Sequence, residues 1–179
     1  MTVDERVVIV DADNRPVDVV PRRVMRAKGL RHRVTGIFVL DRQGRLFVQR
    51  RTETKDVYPG MLDLCAGGVV VAGESYEQCA LREAEEELGI VDTPLETAFD
   101  NYFCDPGEGG GQAVRNFCRV FICRHDGPFT LQPEEVADGA FVSVADILAD
   151  DASRYTPDSL EALRRLLADN HLRDSHHPA

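Results

Sequence analysis

The sequence predicts an α+β protein, because strand-like segments dominate its middle and helix-like segments are arranged around them. Short runs rich in Val, Ile and Phe recur between Val7 and Cys123 and are separated by turn residues. Two segments, beginning at Ser75 and at Thr156, carry residues typical of helix starts. The length of 179 residues fits one compact domain with a sizeable core.

The N-terminal third predicts two hairpins and a short helix. Its strand-like segments are Val7–Val10, Val17–Val20, Val34–Leu40 and Leu46–Gln49. The turn Asp13-Asn14-Arg15 joins the first pair, and Asp41-Arg42-Gln43-Gly44 is typical of a hairpin connection in the second pair. Between the two pairs, Pro21 favours a helix start and Gly29 favours a helix stop.

The central segment predicts a strand, a glycine interruption and a helix. Leu62–Val71 is typical of a strand that passes into a loop, with Gly67-Gly68 as the interruption. Ser75 is a good N-cap, and Gln78 three residues later completes a capping-box pattern. Gly89 lies where a helix C-terminal glycine belongs.

The last third predicts three strands and two further helices. The strands are Thr97–Phe103, Asn116–Cys123 and Ala140–Val142, with a glycine-rich loop over residues 105–111. Ser143 favours the start of a short helix. Thr156-Pro157 begins a final amphipathic helix with leucines at helical spacing, and the polar tail after Asn170 predicts a loose end.

Charge excludes several classes of partner. The formal net charge is −10, from 31 acidic and 21 basic residues. This balance argues against general nucleic-acid binding and against binding to anionic membranes, since both need clustered Lys and Arg. The charge is unevenly spread: residues 1–60 hold 13 basic and 8 acidic residues, whereas residues 61–179 hold 8 basic and 23 acidic residues.

Targeting signals and cysteine usage favour a cytoplasmic protein. The sequence has no apolar run of the roughly 18 residues that a membrane span needs, and the N-terminus lacks the pattern of a signal peptide. Its five cysteines form no CxxC pair, which argues against a disulfide framework and a zinc site. Scattered single thiols are typical of reduced core residues.

The acidic segment from Gly68 to Ile90 carries the chemistry. On a helix, Glu83, Glu86 and Glu87 share one face, because they are three and four residues apart. Three carboxylates on one stripe repel each other, and a hard divalent cation relieves that repulsion. Because Mg²⁺ combines a few carboxylates with substrate phosphates, the pattern favours phosphoryl chemistry over a plain solvated acidic face.

The segment resembles the Nudix box. It gives G-x5-E-x7-R-E-A-x-E-E-x-G-I, and every fixed position is matched over 23 residues: Gly68, Glu74, Arg82, Glu83, Ala84, Glu86, Glu87, Gly89 and Ile90. The resemblance implies the Nudix fold, a mixed β-sheet sandwiched between α-helices. It also implies dependence on Mg²⁺ or Mn²⁺ and hydrolysis of a diphosphate linkage in a nucleoside diphosphate derivative.

Site residues follow from the resemblance position by position. Glu83 and Glu87 would be the main metal ligands, and Glu86 a further ligand or the base that activates water. Gly68 would let the backbone approach the metal closely. Glu74 would support the loop, and Arg82 would orient the glutamates, because it points about 100° away from Glu83 on a helical wheel. Glu74 and Arg82 complete the predicted catalytic group.

Three segments outside the box resemble a bacterial branch of the family whose layout is similar to isopentenyl-diphosphate isomerase. They are Leu30–Arg33, Arg50–Asp63 and Thr156–Leu163. The resemblance divides the chain into an N-terminal hairpin and short helix over residues 1–30, belonging to the same domain, a Nudix hydrolase domain over residues 31–170, and a loose tail over residues 171–179.

Two alternatives to hydrolysis stay open. An isomerase would use a cysteine near the strand before the box, where Cys65 lies, and a histidine comparable to His32. The two later glutamates of that enzyme are replaced here by Val114-Arg115-Asn116-Phe117-Cys118. The second alternative is a non-catalytic nucleotide-binding Nudix domain, but such domains usually lose box glutamates, which are all present.

Substrate contacts are predicted outside the box. Arg50 and Arg51 end a strand that leads towards the box, and arginine suits bidentate phosphate recognition. Glu135 is a candidate distal acid in a loop before a strand. The expected partner is a small-molecule diphosphate, whose base, sugar or leaving group the sequence leaves open. The number of metal ions and the oligomeric state also stay open, although family members often form homodimers.

Overall fold

A computed structural model describes residues 5–107 and 113–172 of the chain. These residues form eight β-strands and four α-helices. The strands are β1 (Arg6–Val10), β2 (Pro16–Pro21), β3 (His32–Leu40), β4 (Leu46–Arg51), β5 (Leu62–Asp63), β6 (Leu95–Asp105), β7 (Val114–Arg124) and β8 (Val136–Val142). The helices are α1 (Arg22–Ala27), α2 (Tyr76–Leu88), α3 (Val144–Ala149) and α4 (Pro157–Ala168), with a short 3-10 turn at Ala152–Arg154.

The sheet is mixed and is built around β3. Strand β3 pairs in parallel with β7 along its whole length, from His32↔Asn116 to Leu40↔Arg124, and β7 pairs with β6 in antiparallel fashion. The remaining pairings are antiparallel: β1 with β2 and β3, and β4 with β3, β5 and β8. One parallel pairing inside an otherwise antiparallel sheet therefore joins the two halves of the chain.

Helices cover both faces of this sheet, which confirms the predicted α+β sandwich. Alternate residues of β3 point to opposite faces, so that Ile37 and Val39 pack in a cluster with α2, whereas Phe38 and Leu40 pack in a cluster with α4. On the α4 side, Leu160, Leu163 and Leu166 supply the helical stripe that the leucine spacing predicted. On the α2 side, the helix contributes mainly Ala80, Ala84 and Leu88.

The ends of α2 confirm the capping prediction. The Ser75 hydroxyl accepts a hydrogen bond from the Gln78 amide at 3.2 Å, and the Gln78 side chain accepts one from the Ser75 amide at 2.8 Å. Gly89 ends the helix with φ of 68°, in the left-handed region that glycine adopts without strain. Both ends of the helix that carries the acidic residues are therefore fixed by local contacts.

The second predicted hairpin is confirmed at its turn and in its antiparallel direction, but its strand pairing is short. Strands β3 and β4 are joined by the predicted tight turn, but they share only the Leu40↔Leu46 pair. Beyond that pair β4 turns towards β5 and β8, while β3 takes β7 as its neighbour. The expected long strand at Leu62–Val71 is also shorter, since β5 ends at Asp63 and isolated bridges follow.

The N-terminal segment extends the same sheet. The predicted first hairpin is confirmed by the β1–β2 pairing, and α1 follows directly on β2. Met25 of α1 is buried in a small cluster with Val7, Ile9 and Val69. Residues 108–112 of the predicted glycine-rich loop and 173–179 of the predicted tail lie outside the described residues. No helix in the described ranges is long and apolar enough to cross a bilayer.

His32 is buried at the start of β3 and is neutral in the folded chain. Its Nδ1–H donates to the Leu30 carbonyl at 2.9 Å, because that oxygen can only accept, and its Nε2 has no hydrogen-bond partner. Burial lowers the pKa of His32 to about 4, from an ordinary value of 6.5.

We expect this histidine to make stability depend on pH. Above pH 6.5 both states are neutral at His32, and as the pH falls towards 4 the unfolded chain binds a proton that the folded chain does not. The His32 contribution to stability is therefore complete above pH 6.5 and decreases by about 3 kcal/mol as the pH falls to 4. Urea unfolding of the wild type and of His32→Gln between pH 7 and 4 checks this, and parallel curves would contradict it.

Candidate active site

Residues Ala66, Gly67 and Gly68 bring the loop before α2 close to the centre of the sheet. The Ile37 amide donates to the Ala66 carbonyl at 2.7 Å, and the Thr35 amide donates to the Gly68 carbonyl at 2.9 Å. At Gly67, where φ is 145°, a Cβ would overlap the Thr35 carbonyl, and at Gly68 a Cβ would overlap the Glu83 carboxylate. Glycine at position 67 is therefore required for the loop to pass this close to β3, and glycine at position 68 leaves room for the Glu83 carboxylate.

Glu87 is the most buried acid of this face, with 2% of its surface exposed. Its Oε2 accepts hydrogen bonds from the Gly67 amide at 3.1 Å and from the Gln49 side chain at 3.4 Å. The Lys55 ammonium lies 3.5 Å from its Oε1. Burial raises the pKa of the Glu87 carboxyl, and the positive charge of Lys55 opposes that rise.

Glu83 lies one turn earlier on α2, against the Gly68 backbone. Burial, and then the neighbouring charge of Glu87, raises the pKa of Glu83 to about 7. The Arg82 guanidinium, with Nη1 at 2.6 Å from Glu83 Oε1, opposes that rise. The Glu83 and Glu87 carboxylates thus share a poorly solvated space. A cation bound there, in addition to Arg82 and Lys55, would stabilise the ionised form of both.

Arg82 joins three of the predicted site residues. It forms two hydrogen bonds with the Glu74 carboxylate, at 2.8 and 3.0 Å, and its Nη1 also lies 3.0 Å from Glu86 Oε2. The inference that Arg82 points away from Glu83 is wrong for its guanidinium, since a helical wheel fixes the direction of Cβ but not the end of a long side chain.

Glu74 holds this arginine in place. Burial disfavours the ionised Glu74, but the hydrogen bonds from Arg82 and from the Val71 amide outweigh it, so that the pKa of Glu74 lies below its ordinary value. The hydrogen bonds with Glu74, and the neighbouring charge of Glu83, raise the pKa of Arg82 above its ordinary value. Glu86 is the solvent-facing member of the group, with about half of its side chain exposed.

The donor set fits a hard divalent cation, because Glu83, Glu86 and Glu87 offer carboxylate oxygens on one helical face. The Gly68 carbonyl, the fourth predicted ligand, accepts the Thr35 amide at 2.9 Å and the Cys79 thiol at 3.8 Å, so that a cation would compete with these donors for it. Over residues 5–107 and 113–172, no three acidic, His or Cys side chains are preassembled around one point. The carboxylates contact Arg82 and Lys55 instead, so that binding a cation requires these side chains to move.

A cavity of about 400 Å³ opens beside the Gly67-Gly68 loop. Its polar wall residues come from segments far apart in the chain: Arg22 and Arg26 of α1, Thr35, Arg51, Thr54, Lys55, Asp56 and Tyr58, Asp63 and Cys65, Asn101 and Asn116, Glu134 and Glu135, and Asp158 and Ser159. Phe38, Phe103 and Val120 contribute apolar surface. This volume lies within the range of pockets that bind small molecules.

Of the three residues predicted to contact substrate, Glu135 and Arg51 line the cavity and Arg50 does not. Glu135 lines the cavity and pairs with Lys55. Arg51 also lines it, but its Nη1 lies 3.0 Å from the largely buried Asp63 carboxylate. Arg50 is not among the described residues that line the cavity, because the alternation along β4 turns its side chain towards Asp138 of β8, at 3.2 Å.

Sequence reasoning missed the contacts of Lys55 and Gln49 with the acidic face. Lys55 connects Glu87 to Glu135, and Gln49 connects Glu87 to the backbone carbonyl of Cys65 at 3.1 Å. Lys55 belongs to the basic group that begins at Arg50, but nothing in a single sequence shows that a loop lysine folds back onto a helix 32 residues later. Gln49 differs from its strand neighbours only in being polar and buried.

Comparisons with known proteins all indicate the same family. A model of the NUDIX domain matches residues 30–166. A Yersinia pestis protein named as an uncharacterized Nudix hydrolase is 44% identical over 170 residues, which cover 95% of this chain and 90% of that protein. The Nudix hydrolase YfcD of Escherichia coli K12 is 45% identical over 159 residues, covering 89% and 84%.

Among solved structures, DR0079 from Deinococcus radiodurans has a TM-score of 0.72 at 27% identity, covering 90% of this chain and 98% of that one. The family match spans most of the chain, and Glu83, Glu86 and Glu87 lie on α2 within the matched segment. The chain therefore belongs to the NUDIX family of hydrolases, enzymes that act on the pyrophosphate bonds of nucleoside diphosphate derivatives.

Proposed function

We propose that this protein is a Mg²⁺-dependent hydrolase that cleaves the diphosphate linkage of a nucleoside diphosphate derivative. The observation that carries the proposal is the close pair of carboxylates on α2, the buried Glu87 and the largely buried Glu83, whose side chain is 13% exposed. Both lie against the Gly67-Gly68 loop, which lines a cavity of about 400 Å³. Buried like charges cost free energy unless a cation or a proton offsets them. Carboxylates with a pKa perturbed in this way cluster at sites that bind ligands or carry out catalysis.

Roles follow from the contacts of each side chain. Glu83 and Glu87 would hold the metal with Gly68, and Mn²⁺ would substitute for Mg²⁺. A bound divalent cation neutralises diphosphate charge and lowers the pKa of bound water. Glu86, the exposed member, would accept the proton of the attacking water or serve as a further ligand.

Arg82 and Glu74, the remaining residues of the predicted catalytic group, would hold those carboxylates in position. Arg82 contacts Glu83 and Glu86 together, and Glu74 fixes Arg82 through two hydrogen bonds. At the rim of the cavity, Arg51 and Glu135 would contact substrate, with Lys55 between Glu135 and Glu87. This arrangement keeps positive charge between the acidic face and the space that a diphosphate would enter.

An isomerase acting on a hydrocarbon diphosphate is the second candidate, in keeping with the predicted bacterial branch. It is favoured by Cys65, which follows β5, lines the cavity and lies 3.5 Å from Asp63 Oδ1. Burial raises the pKa of the Cys65 thiol well above its ordinary value, so that the thiolate is scarce. A cytoplasmic location stays a prediction, which the five free cysteines support, and a homodimer also stays a prediction.

Product analysis on a substrate panel tests the proposal. The panel contains nucleoside diphosphates, dinucleoside polyphosphates, sugar nucleotides and isopentenyl diphosphate, each with Mg²⁺ and with EDTA. Release of phosphate or nucleotide with Mg²⁺ alone supports the hydrolase. Isomerisation of isopentenyl diphosphate without phosphate release would contradict it in favour of the second candidate, and tight binding without turnover would indicate a nucleotide-binding domain.

Replacing Glu87 with glutamine is expected to lower kcat by roughly 1000-fold on any substrate that the panel identifies, because the neutral amide no longer supplies a charged ligand. The fold should survive, since glutamine has the same shape and still accepts the Gly67 amide. Glu85→Gln is the matched control, because Glu85 is exposed on the same helix. Equal kcat values for the two variants would contradict the role of Glu87.

Magnesium is expected to raise the melting temperature of the wild type. At about 100 times its Kd a ligand adds about 2.7 kcal/mol to folded-state stability, which corresponds to roughly 5–10 °C for a chain of this size. Differential scanning calorimetry with Mg²⁺ and with EDTA measures this shift. The shift should be lost in Glu83→Gln and retained in Glu85→Gln, and a wild type without any shift would count against a cation site.

A further inference from the structure

Lys55 connects the cavity wall to the acidic face of α2. Its side chain lines the cavity and is 15% exposed. Its ammonium lies 3.5 Å from Glu87 Oε1 and also forms an ion pair with Glu135. These two acids belong to α2 and to the loop before β8, so that one ammonium offsets negative charge from two separate segments.

The two oxygens of the Glu87 carboxylate have different partners. Oε2 accepts hydrogen bonds from the neutral Gly67 amide and Gln49 side chain, whereas Oε1 faces the Lys55 ammonium. A metal ion that binds Glu87 through Oε1 therefore approaches the ammonium, and two positive charges at that distance repel each other. The metal ion and the ammonium can contact this oxygen together only at a cost in free energy.

The contact between the ammonium and Glu87 is suited to release. At 3.5 Å it is longer than the roughly 2.7–2.9 Å of a charge-assisted hydrogen bond. The ammonium keeps a carboxylate partner when it leaves Glu87, because it is also paired with Glu135. The backbone need not follow, since Arg51 fixes it two residues further on by donating to the Val57 carbonyl at 2.8 and 3.1 Å. The lysine side chain alone can therefore move.

The residue type at position 55 agrees with a contact that is exchanged. Lysine and arginine together number 21 in the chain, but only Lys28 and Lys55 are lysines. A guanidinium holds a carboxylate through two parallel hydrogen bonds, whereas an ammonium is a compact charge on a flexible stem. A lysine can thus offset the charge of Glu87 and still be displaced by a divalent cation.

We propose that Lys55 competes with the divalent cation for Glu87, and that metal binding leaves its ammonium paired with Glu135 alone. This inference rests on the proposed function, because it takes Glu87 to be a metal ligand. Before the metal binds, Lys55 offsets the charge of the buried carboxylate and so stabilises the folded chain. The metal must replace that contact, so that Lys55 sets the metal concentration at which the site fills.

Mn²⁺ affinity, measured by electron paramagnetic resonance without substrate, tests the competition at about pH 8, above the pKa of Glu83. Lys55→Met keeps the apolar stem and should bind Mn²⁺ about tenfold more tightly than the wild type, because no ammonium has to leave Glu87. Lys55→Arg should bind Mn²⁺ about threefold more weakly or worse, because its guanidinium holds the carboxylate more firmly. A mere effect of charge would leave Lys55→Arg equal to the wild type and would overturn the competition.

Arg22→Met is the matched control. Arg22 also lines the cavity, but its ion pair is with Glu5, so that its loss should change Mn²⁺ affinity by less than about threefold. Equal affinity in the wild type and Lys55→Met, or equal gains in Lys55→Met and Arg22→Met, would overturn the competition while leaving the proposed function in place. A wild type that binds no Mn²⁺ would overturn both.

Acetylation of the wild type by limiting acetic anhydride tests the movement of Lys55 itself. The exposed Lys28 is the internal reference, and mass spectrometry of the peptides gives the ratio of acetylated Lys55 to acetylated Lys28. Relative to EDTA, Mg²⁺ should raise this ratio about threefold or more, because an amine that has lost one carboxylate partner deprotonates more easily. In Glu87→Gln the ratio should already be raised in EDTA and should not respond to Mg²⁺. A wild-type ratio that Mg²⁺ leaves unchanged or lowers would overturn the proposal.

Discussion

The burial of the Glu87 carboxylate is the constraint on which the site depends. An ionised group at 2% exposure is stable only while its partners stay in place, and those partners come from three separate segments: the Gly67 amide, the Gln49 side chain and Lys55. A shift of α2 along the sheet would break all three contacts together. The small residues Ala80 and Ala84 allow the helix to lie close enough for those contacts to form.

Glu83 makes the same arrangement suitable for chemistry. Burial and the neighbouring charge of Glu87 raise the pKa of Glu83 to about 7. Ionisation of either carboxyl therefore disfavours ionisation of the other. Arg82 offsets part of the charge from one side and Lys55 from the other. The cavity wall belongs to a different part of the molecule, to which Arg22, Arg26, Arg51 and Lys55 contribute. The basic character of the first 60 residues thus contributes to the wall of the site as well as to the surface.

Local signals in the sequence predicted the parts of the fold that local contacts determine. The capping box at Ser75 and the leucine stripe of α4 are examples, and the carboxylates of the acidic helix do lie on one face. The sequence could not predict that β3 pairs in parallel with β7, since His32 and Asn116 are 84 residues apart and any strand of that composition could compete. For the same reason the sequence did not show that the second hairpin is limited to the Leu40↔Leu46 pair. The sequence pattern also could not predict where the charged ends of long side chains lie, as for Arg82, Lys55 and Arg50.

Binding of Mn²⁺, followed by electron paramagnetic resonance in competition with Mg²⁺, measures the cation site without substrate or turnover. The wild type and Glu85→Gln should bind Mn²⁺ with equal affinity and release it to Mg²⁺. Glu83→Gln and Glu87→Gln should bind Mn²⁺ about tenfold more weakly or worse, as expected for a lost charged contact. Equal Mn²⁺ affinity in all four proteins would contradict the claim that these buried carboxylates form the cation site.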